Sequence, residues 1–531
     1  MPSGTPDPTT APAPAVAGAA PTTVAAGAAP AAAGAPARSD AAAAAGPAGP
    51  PVPAAPRRRH AVVGTGSRAG MFVRSMLTTH AEVAEPVAWC DTNDVRMDLY
   101  DELLAEHGRA PLPRYTPDDF SRMLDEQAPD VVVVTSPDST HARYVVEALD
   151  RGVDVVCEKP MTIDVDGLRA ITEAARRSTA ELVVTFNYRY SPRNSEVRRL
   201  VSEGAIGDVT SVTFEWLLDT VHGADYFRRW HREKASSGGL LVHKSTHHLD
   251  LVNWWIDDVP EVVSALGRLA FYGEDSAAAR GLGPRPALGR DGAADDPFAL
   301  DMAADETLRR LYLEAEEADG YVRDRDVFGP GITIEDNLAV LVGYRGGPVL
   351  SYSLNAHSPW EGYKVGINGT RGRLELEVVE RTHVHPGSAG KMLGPDGKKA
   401  PVVDPSVTHV DAAGGARAFG SRLVLQQHWD EARELPIPEG VGAHGGGDAM
   451  LLDDVFLGVG DDPLGRQAHY VDGVRSVIVG IAANESIRTG ETVRLSALGI
   501  ELDAPDGSHA ASAEPDHPSP SPADLPAPTR A

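Results

Sequence analysis

From residue 60 to residue 190 the hydrophobic positions alternate between short continuous runs and a helical period. Ala61–Val63 is a short apolar run that ends at Gly64, and Phe72–Leu77 has helical spacing. Val87–Cys90 is apolar again and stops at Asp91. Asp94–Glu106 and Pro117–Gln127 follow with helical spacing, and Asp130–Val134 is a β-branched run of the kind buried on both faces of a parallel sheet. The same alternation gives a helix over Ala142–Arg151, a strand over Val153–Cys157, a helix over Leu168–Arg177 and a strand over Leu182–Phe186. Such alternation predicts an α/β fold with a doubly wound parallel sheet, whose ligands lie beyond the carboxyl ends of the strands.

The pattern then changes. Glu335–Tyr344, Pro348–Asn355, Tyr363–Gly369 and Arg373–Val378 are β-rich runs separated by Gly-Gly, Pro-Trp-Glu-Gly and Gly-Thr-Arg-Gly turns, which predicts a mainly antiparallel sheet. Gly473–Ile487 reads as an apolar helix. Residues 274–330 read as an insertion, loop-rich and then helical across Ala303–Ala318; a surface excursion is the plainer expectation, a lid or subunit contact the other. Residues 1–56 and 504–531 are rich in Ala, Pro and small polar residues with little to bury, so both are expected to be disordered tails. That leaves two expected domains, 57–186 and 187–503.

Charge narrows the partners. The 531 residues carry 49 Lys+Arg against 76 Asp+Glu, a formal net charge of −27. Such a field repels nucleic acid and anionic membrane surfaces, though backbone N–H groups and one lysine can still hold a small anion. No apolar run approaches the length of a membrane span. The two cysteines, Cys90 and Cys157, sit in apolar stretches and suit small core residues in a reducing, cytoplasmic setting.

The chemistry-bearing positions gather at the expected strand ends. Gly64-Thr-Gly66-Ser67-Arg68-Ala69 is a G-x-G-x-x-A turn between a strand and a helix, suited to a pyrophosphate. Asp91, about twenty residues on, can accept from both adenosine ribose hydroxyls and would repel a 2′-phosphate, which favours NAD over NADP. Ser136-Pro137, His141 and Glu158-Lys159 lie at later strand ends. His243 and His247 are four apart, one face of a helix. Without a third ligand or the glutamate of H-E-x-x-H, no metal is expected there.

These motifs in this order resemble the glucose-fructose oxidoreductase, inositol dehydrogenase and rhizopine-catabolism family, Gfo/Idh/MocA, over about residues 58–500. The resemblance implies a Rossmann domain followed by a domain built on a large open antiparallel sheet. It implies NAD acting on a secondary hydroxyl or ketone of a sugar or cyclitol, and association into a homo-oligomer. The family pattern G-G-x-x-x-D-x-G-x-H places its histidine on His247 but its aspartate on His243. Lys159 is then expected to stabilise the substrate oxygen and His247 to take or return the proton, with His243 orienting His247 or binding a second hydroxyl. Tyr188 and Arg189 suit a polyol, Trp230, His231 and Lys234 are further substrate candidates, and His444 and Asp448 are expected to cap the cleft, or Asp448 to cap a helix. An NAD-dependent glycosidase and a non-catalytic NAD sensor are the alternatives.

Overall fold

The computed structural model describes residues 56–293, 295–384, 417–438 and 446–503, together with the backbone of two short paired strands near residues 392–400. The expected tails, over residues 1–55 and 504–531, lie outside the described residues, as does His444. Six strands, β1 (Arg58–Val63), β2 (Ala84–Cys90), β3 (Arg114–Tyr115), β4 (Val131–Val134), β5 (Asp154–Cys157) and β6 (Leu182–Val184), form a parallel sheet in the order β3-β2-β1-β4-β5-β6. Strand order reverses between β1 and β4, where His60 to Val63 pair with Val131 to Val134. All four valines of β4 are buried, as a strand covered on both faces requires. Helices α1 (Ala69–Leu77), α2 (Asp94–Glu106), α3 (Phe120–Gln127), α4 (His141–Asp150) and α5 (Val165–Arg177) connect the strands.

The second sheet contains β7 (Val209–Asp219), β8 (Pro260–Arg268), β9 (Asn337–Tyr344), β10 (Val349–Ser358), β11 (Glu361–Gly369) and β12 (Gly372–Arg381). After the small hairpin of β13 (Met392–Leu393) and β14 (Lys399–Ala400), it takes up β15 (Gly420–Gln427) and β16 (Arg433–Leu435). A strand β17 (Ala468–His469) extends the first sheet antiparallel to β6, and β18 (Val493–Arg494) closes the second, whose order is β16-β15-β12-β11-β7-β10-β9-β8-β18. Every pairing in it is antiparallel except β7 with β10. Along β7, Val212, Phe214, Trp216 and Leu218 point into the core while alternate residues face outward. Helices α6 (Pro192–Ser202), α7 (His222–Arg228), α8 (Lys234–Ser237), α9 (Leu240–His243) and α10 (Ser245–Ile256) link the sheets, and helix Tyr470–Thr489 returns to pack on β8 and α10. Among the described residues no helix is long and apolar enough to cross a membrane.

Two expected helices are not continuous. His243 ends α9 and His247 lies in α10, with Lys244 (φ −96°, ψ −46°) between them, so the two histidines stand on two consecutive short helices. The break falls where the buried Lys244 ammonium is drawn to the Tyr188 hydroxyl at 3.2 Å. The segment predicted helical across Ala303–Ala318 is helical in short pieces, Met302–Ala304, Glu306–Leu308, Arg309–Leu313 and Glu316–Asp319. Asp301 accepts from the N–H groups of Ala303 and Ala304, and Asp305 from that of Leu308, so aspartates restart the chain where one long helix would need their backbone continued.

Candidate active site

Gly64 opens the cavity. Its φ of +87° is left-handed, and a Cβ there would come within 2.5 Å of the Ser136 backbone N, so only glycine lets β1 and β4 end this close together. A Cβ at Gly66 would meet nothing within 4 Å, which leaves that side of the turn open to a ligand. Helix α1 begins at Ala69, which is fully buried in the core under the turn rather than lining the cavity. Arg68 pairs with Glu158 at 2.6 Å, so two residues expected to touch the cofactor independently form one charged wall.

Asp91 ends β2 with both carboxylate oxygens held by the protein. Oδ2 accepts from the Thr65 N–H and, at 2.8 Å, from the Thr65 hydroxyl; Oδ1 accepts from the Asn93 N–H at 3.0 Å. The Thr92 hydroxyl, 3.4 Å from Oδ1, completes the about four lone-pair positions of a carboxylate, so ribose hydroxyls would take the places of the hydroxyl contacts from Thr65 and Thr92. The cradle, the helix start and this carboxylate fit the pyrophosphate and adenosine ribose of NAD. His141 is buried, its ring nitrogens each 2.8 Å from a carbonyl oxygen, of Pro160 and of Ser136, so it ties together the loops after β4 and β5.

One cavity of about 710 Å³ runs from this turn to the histidines. Its cofactor end is lined by Gly64, Gly66, Ser67, Arg68, Asp91, Ser136, Pro137, His141 and Glu158. Its far end is lined by Lys159, Tyr188, Trp230, His231, His243, His247 and Asp448. Lys159 Nζ donates to the His243 carbonyl at 3.0 Å, and burial pushes its ammonium down to about 8. The His247 ring lies flat on Tyr188, centroids 4.3 Å apart. His243 Nδ1 takes Asp138 as its carboxylate partner at 2.5 Å, where an orienting contact to His247 was expected. Burial holds His231 and His243 well below the ordinary imidazole range, assisted at His231 by Arg229 and at His243 by Lys159. Among the described residues no group of three His, Cys, Asp or Glu side chains is placed to hold a metal ion.

Three sequence expectations are corrected here. Arg189, expected among the substrate residues, does not line this cavity: it is 2% exposed, donates to both oxygens of Asp250 (2.8 and 2.6 Å) and reaches Asp472 at 3.1 Å. It faces a second cavity, at the amino ends of β1 and β5, the edge opposite the glycine turn. Lys234 points away from the site into an ion pair with Glu335 at 2.6 Å. Asp448 does not cap its helix, Gly447–Leu457, whose N-cap is Gly446; its carboxylate accepts from Asn187 Nδ2 at 2.6 Å beside the cavity.

The insertion supplies residues that spacing did not reveal. Tyr312, Asp319 and Tyr321 line the cavity, so this segment is a wall of the site and not a surface excursion. The Ser67 N–H donates to the Tyr312 hydroxyl at 3.3 Å, Asn93 Nδ2 donates to the Ala315 carbonyl at 2.9 Å, and Arg96 bonds the Leu311 carbonyl and Asp319. Asp138, inside the S-P-x-x-x-H segment, and Lys244, between the histidines, also line the cavity, although their spacing does not mark them. Asp91→Ala is expected to weaken NAD about tenfold, the loss of one or two charge-assisted hydrogen bonds, and to narrow the preference over NADP. Titration of both dinucleotides checks this, and equal affinity in the unmodified protein would remove its basis.

Comparison with known proteins agrees with the geometry. Residues 58–186 match the model of the oxidoreductase family's NAD-binding Rossmann fold, and residues 198–495 match that of its C-terminal alpha/beta domain. The chain is 33% identical over 440 residues to the oxidoreductase YteT of Bacillus subtilis (strain 168), covering 80% of this chain and 94% of that protein. It is 30% identical over 214 residues to an inositol 2-dehydrogenase of Rubrobacter xylanophilus, covering 39% and 54%. A levoglucosan dehydrogenase solved with NADH and levoglucosan shares the fold at 16% identity, TM-score 0.54, covering 83% of this chain and 99% of that one. The glycosidase and sensor alternatives find no support among these names. A glycine cradle backed by Asp91, a lysine and histidines across one cavity, and family models matching both sheets lead to one assignment: this chain belongs to the Gfo/Idh/MocA family of NAD-binding oxidoreductases.

Proposed function

We propose that the protein transfers a hydride between nicotinamide and a secondary hydroxyl or ketone of a sugar, sugar derivative or cyclitol. The observation that carries this reading is the single cavity in which the dinucleotide turn and Asp91 face Lys159, His243 and His247. Bound NAD supplies the hydride acceptor or donor. Lys159 stays an ammonium at neutral pH, because its lowered value of about 8 still lies above 7, and stabilises negative charge on the reacting oxygen. One of the two histidines, His243 or His247, carries that oxygen's proton. The flat Tyr188–His247 stack and the Lys244–Tyr188 contact give a polar, aromatic floor suited to a hydroxylated ring. Names of relatives, inositol 2-dehydrogenase and levoglucosan dehydrogenase, support the substrate class.

A homo-oligomer belongs to the same proposal. Leu266, Leu341 and Val349 on neighbouring strands are exposed on the outer face of the large sheet, an apolar patch that a second copy could cover. The function is tested by incubating the purified protein and NAD with panels of pyranoses, sugar derivatives, cyclitols and aryl glycosides. NADH should accumulate with at least one polyol and no aglycone should appear. Aglycone release without net NADH, or no turnover with any compound, would overturn the proposal.

A further inference from the structure

We infer that Asp138 and His243 form a proton-handling dyad, in which Asp138 holds Nδ1 of His243 so that Nε2 meets the substrate hydroxyl. This rests on the function proposed above and deepens it by assigning the proton. Asp138 follows β4, whereas His243 ends α9 more than a hundred residues later, so the fold brings them together across the cavity that both line. The Nδ1–Oδ2 distance is 2.5 Å, and the residues are 8% and 3% exposed.

The surroundings of the ring decide which nitrogen works. Lys159 donates to the His243 main chain at 3.0 Å, the His231 ring stands 4.2 Å away, and Tyr226 and Trp230 approach at 5.5 and 5.9 Å. Burial, and after it Lys159 with Arg229 and Lys244, keeps the imidazole neutral. A neutral imidazole has one N–H and one bare nitrogen. Burial pushes the Asp138 carboxyl well above the ordinary carboxylate range, with Lys159 and Arg229 pulling the other way; in the dyad Asp138 is the ionised partner and takes the N–H at Nδ1, which leaves Nε2 as the acceptor. In alcohol oxidation the O–H bond breaks and an N–H bond forms at Nε2, while the carbon-bound hydrogen leaves with its electron pair to the oxidised nicotinamide; reduction reverses both transfers. The imidazolium so formed is compensated by the Asp138 carboxylate, and Lys159 carries the charge on oxygen. A carboxylate thereby returns to the site of a chain that has a histidine where the family pattern has an aspartate. Asp138 is then the positioning residue and His243 the catalytic one, with the stacked His247 left to hold the ring.

Asp138→Asn in the NAD-loaded full chain is the test, since an amide there donates to Nδ1 and moves the ring proton to Nε2. Histidine ¹⁵N NMR, with His243 assigned by its loss in His243→Asp, should show Nδ1–H in the unmodified protein and Nε2–H in the variant. On the polyol found active, kcat should fall about a hundredfold, the low end for general acid–base groups, with KM nearly unchanged. The double variant Asp138→Asn/His243→Asp puts a carboxylate at the family position and should recover at least about tenfold of that loss. Nε2–H in the unmodified protein, an undiminished kcat, or a kcat loss matched by a lost NAD affinity and melting temperature would each overturn the dyad. If the unmodified protein oxidises nothing, the parent function fails and the dyad's role falls with it; if it turns over and Asp138→Asn equals it, the dyad alone fails.

Discussion

Lys159→Ala is expected to slow hydride transfer by roughly two to four orders of magnitude, the range for removing a charge-stabilising or proton-donating group from an enclosed site, while NAD affinity stays nearly unchanged. The separation follows from the geometry, because Lys159 Nζ is directed to the His243 carbonyl at 3.0 Å while Asp91 is held by Thr65 and Asn93. Burial has already lowered this ammonium to about 8, against the opposing pull of Asp138, so it is charged at pH 7 and is lost as the pH rises through 8. Single-turnover rates in the unmodified enzyme should therefore fall on the alkaline side near pH 8. In Lys159→Ala that limb should be missing altogether. Lys159→Arg keeps the charge to higher pH but brings a planar fork in place of a point charge, so its rate should stay well below that of the unmodified enzyme. A Lys159→Ala variant as fast as the unmodified enzyme on its true substrate would remove the lysine from the mechanism.

How far the sequence reaches differs between the halves. The parallel sheet was legible because each of its elements has its own period, and Asp94–Glu106 appears as predicted to the residue. Its strand ends carry the glycines, Asp91 and Lys159, so the cofactor half of the site came with the fold. The second sheet was read only in part. The alternation in Val209–Asp219 is regular, and burial follows it, but its partners β10 and β11 lie far along the chain, so spacing alone does not give the pairing. Tyr312, Asp319 and Tyr321 were out of reach for a further reason. They meet the dinucleotide side of the cavity through tertiary contacts, Tyr312 with Ser67 and all three with Arg96, and nothing periodic in residues 300–321 marks them. Arg189 shows the reverse error. It stands one residue from Tyr188, which does line the cavity, yet the turn Asn187–Tyr190 points adjacent side chains to opposite edges of the sheet.

That reversal gives Asp250→Ala a large and purely structural effect. Asp250 and Arg189 are 1% and 2% exposed, joined by two hydrogen bonds, and Asp472 makes the third contact at 3.1 Å. A well-paired buried ion pair can be close to neutral for stability, but deleting one partner strands the other charge away from water at a cost of about 3–5 kcal/mol. Asp472 is more exposed, at 23%, and belongs to the capping box of helix Tyr470–Thr489, where its carboxylate already accepts from the His469 N–H at 2.9 Å. It therefore offsets only part of that loss. Urea denaturation followed by circular dichroism should show a stability decrease of about 3 kcal/mol for Asp250→Ala, the low end of that range because Asp472 remains. The folded fraction should keep its kcat, because none of these three residues lines the catalytic cavity. The double variant Asp250→Leu/Arg189→Met, which removes both charges at similar volume, should recover most of the lost stability. Unchanged stability accompanied by a raised KM in Asp250→Ala would instead return Arg189 to the substrate.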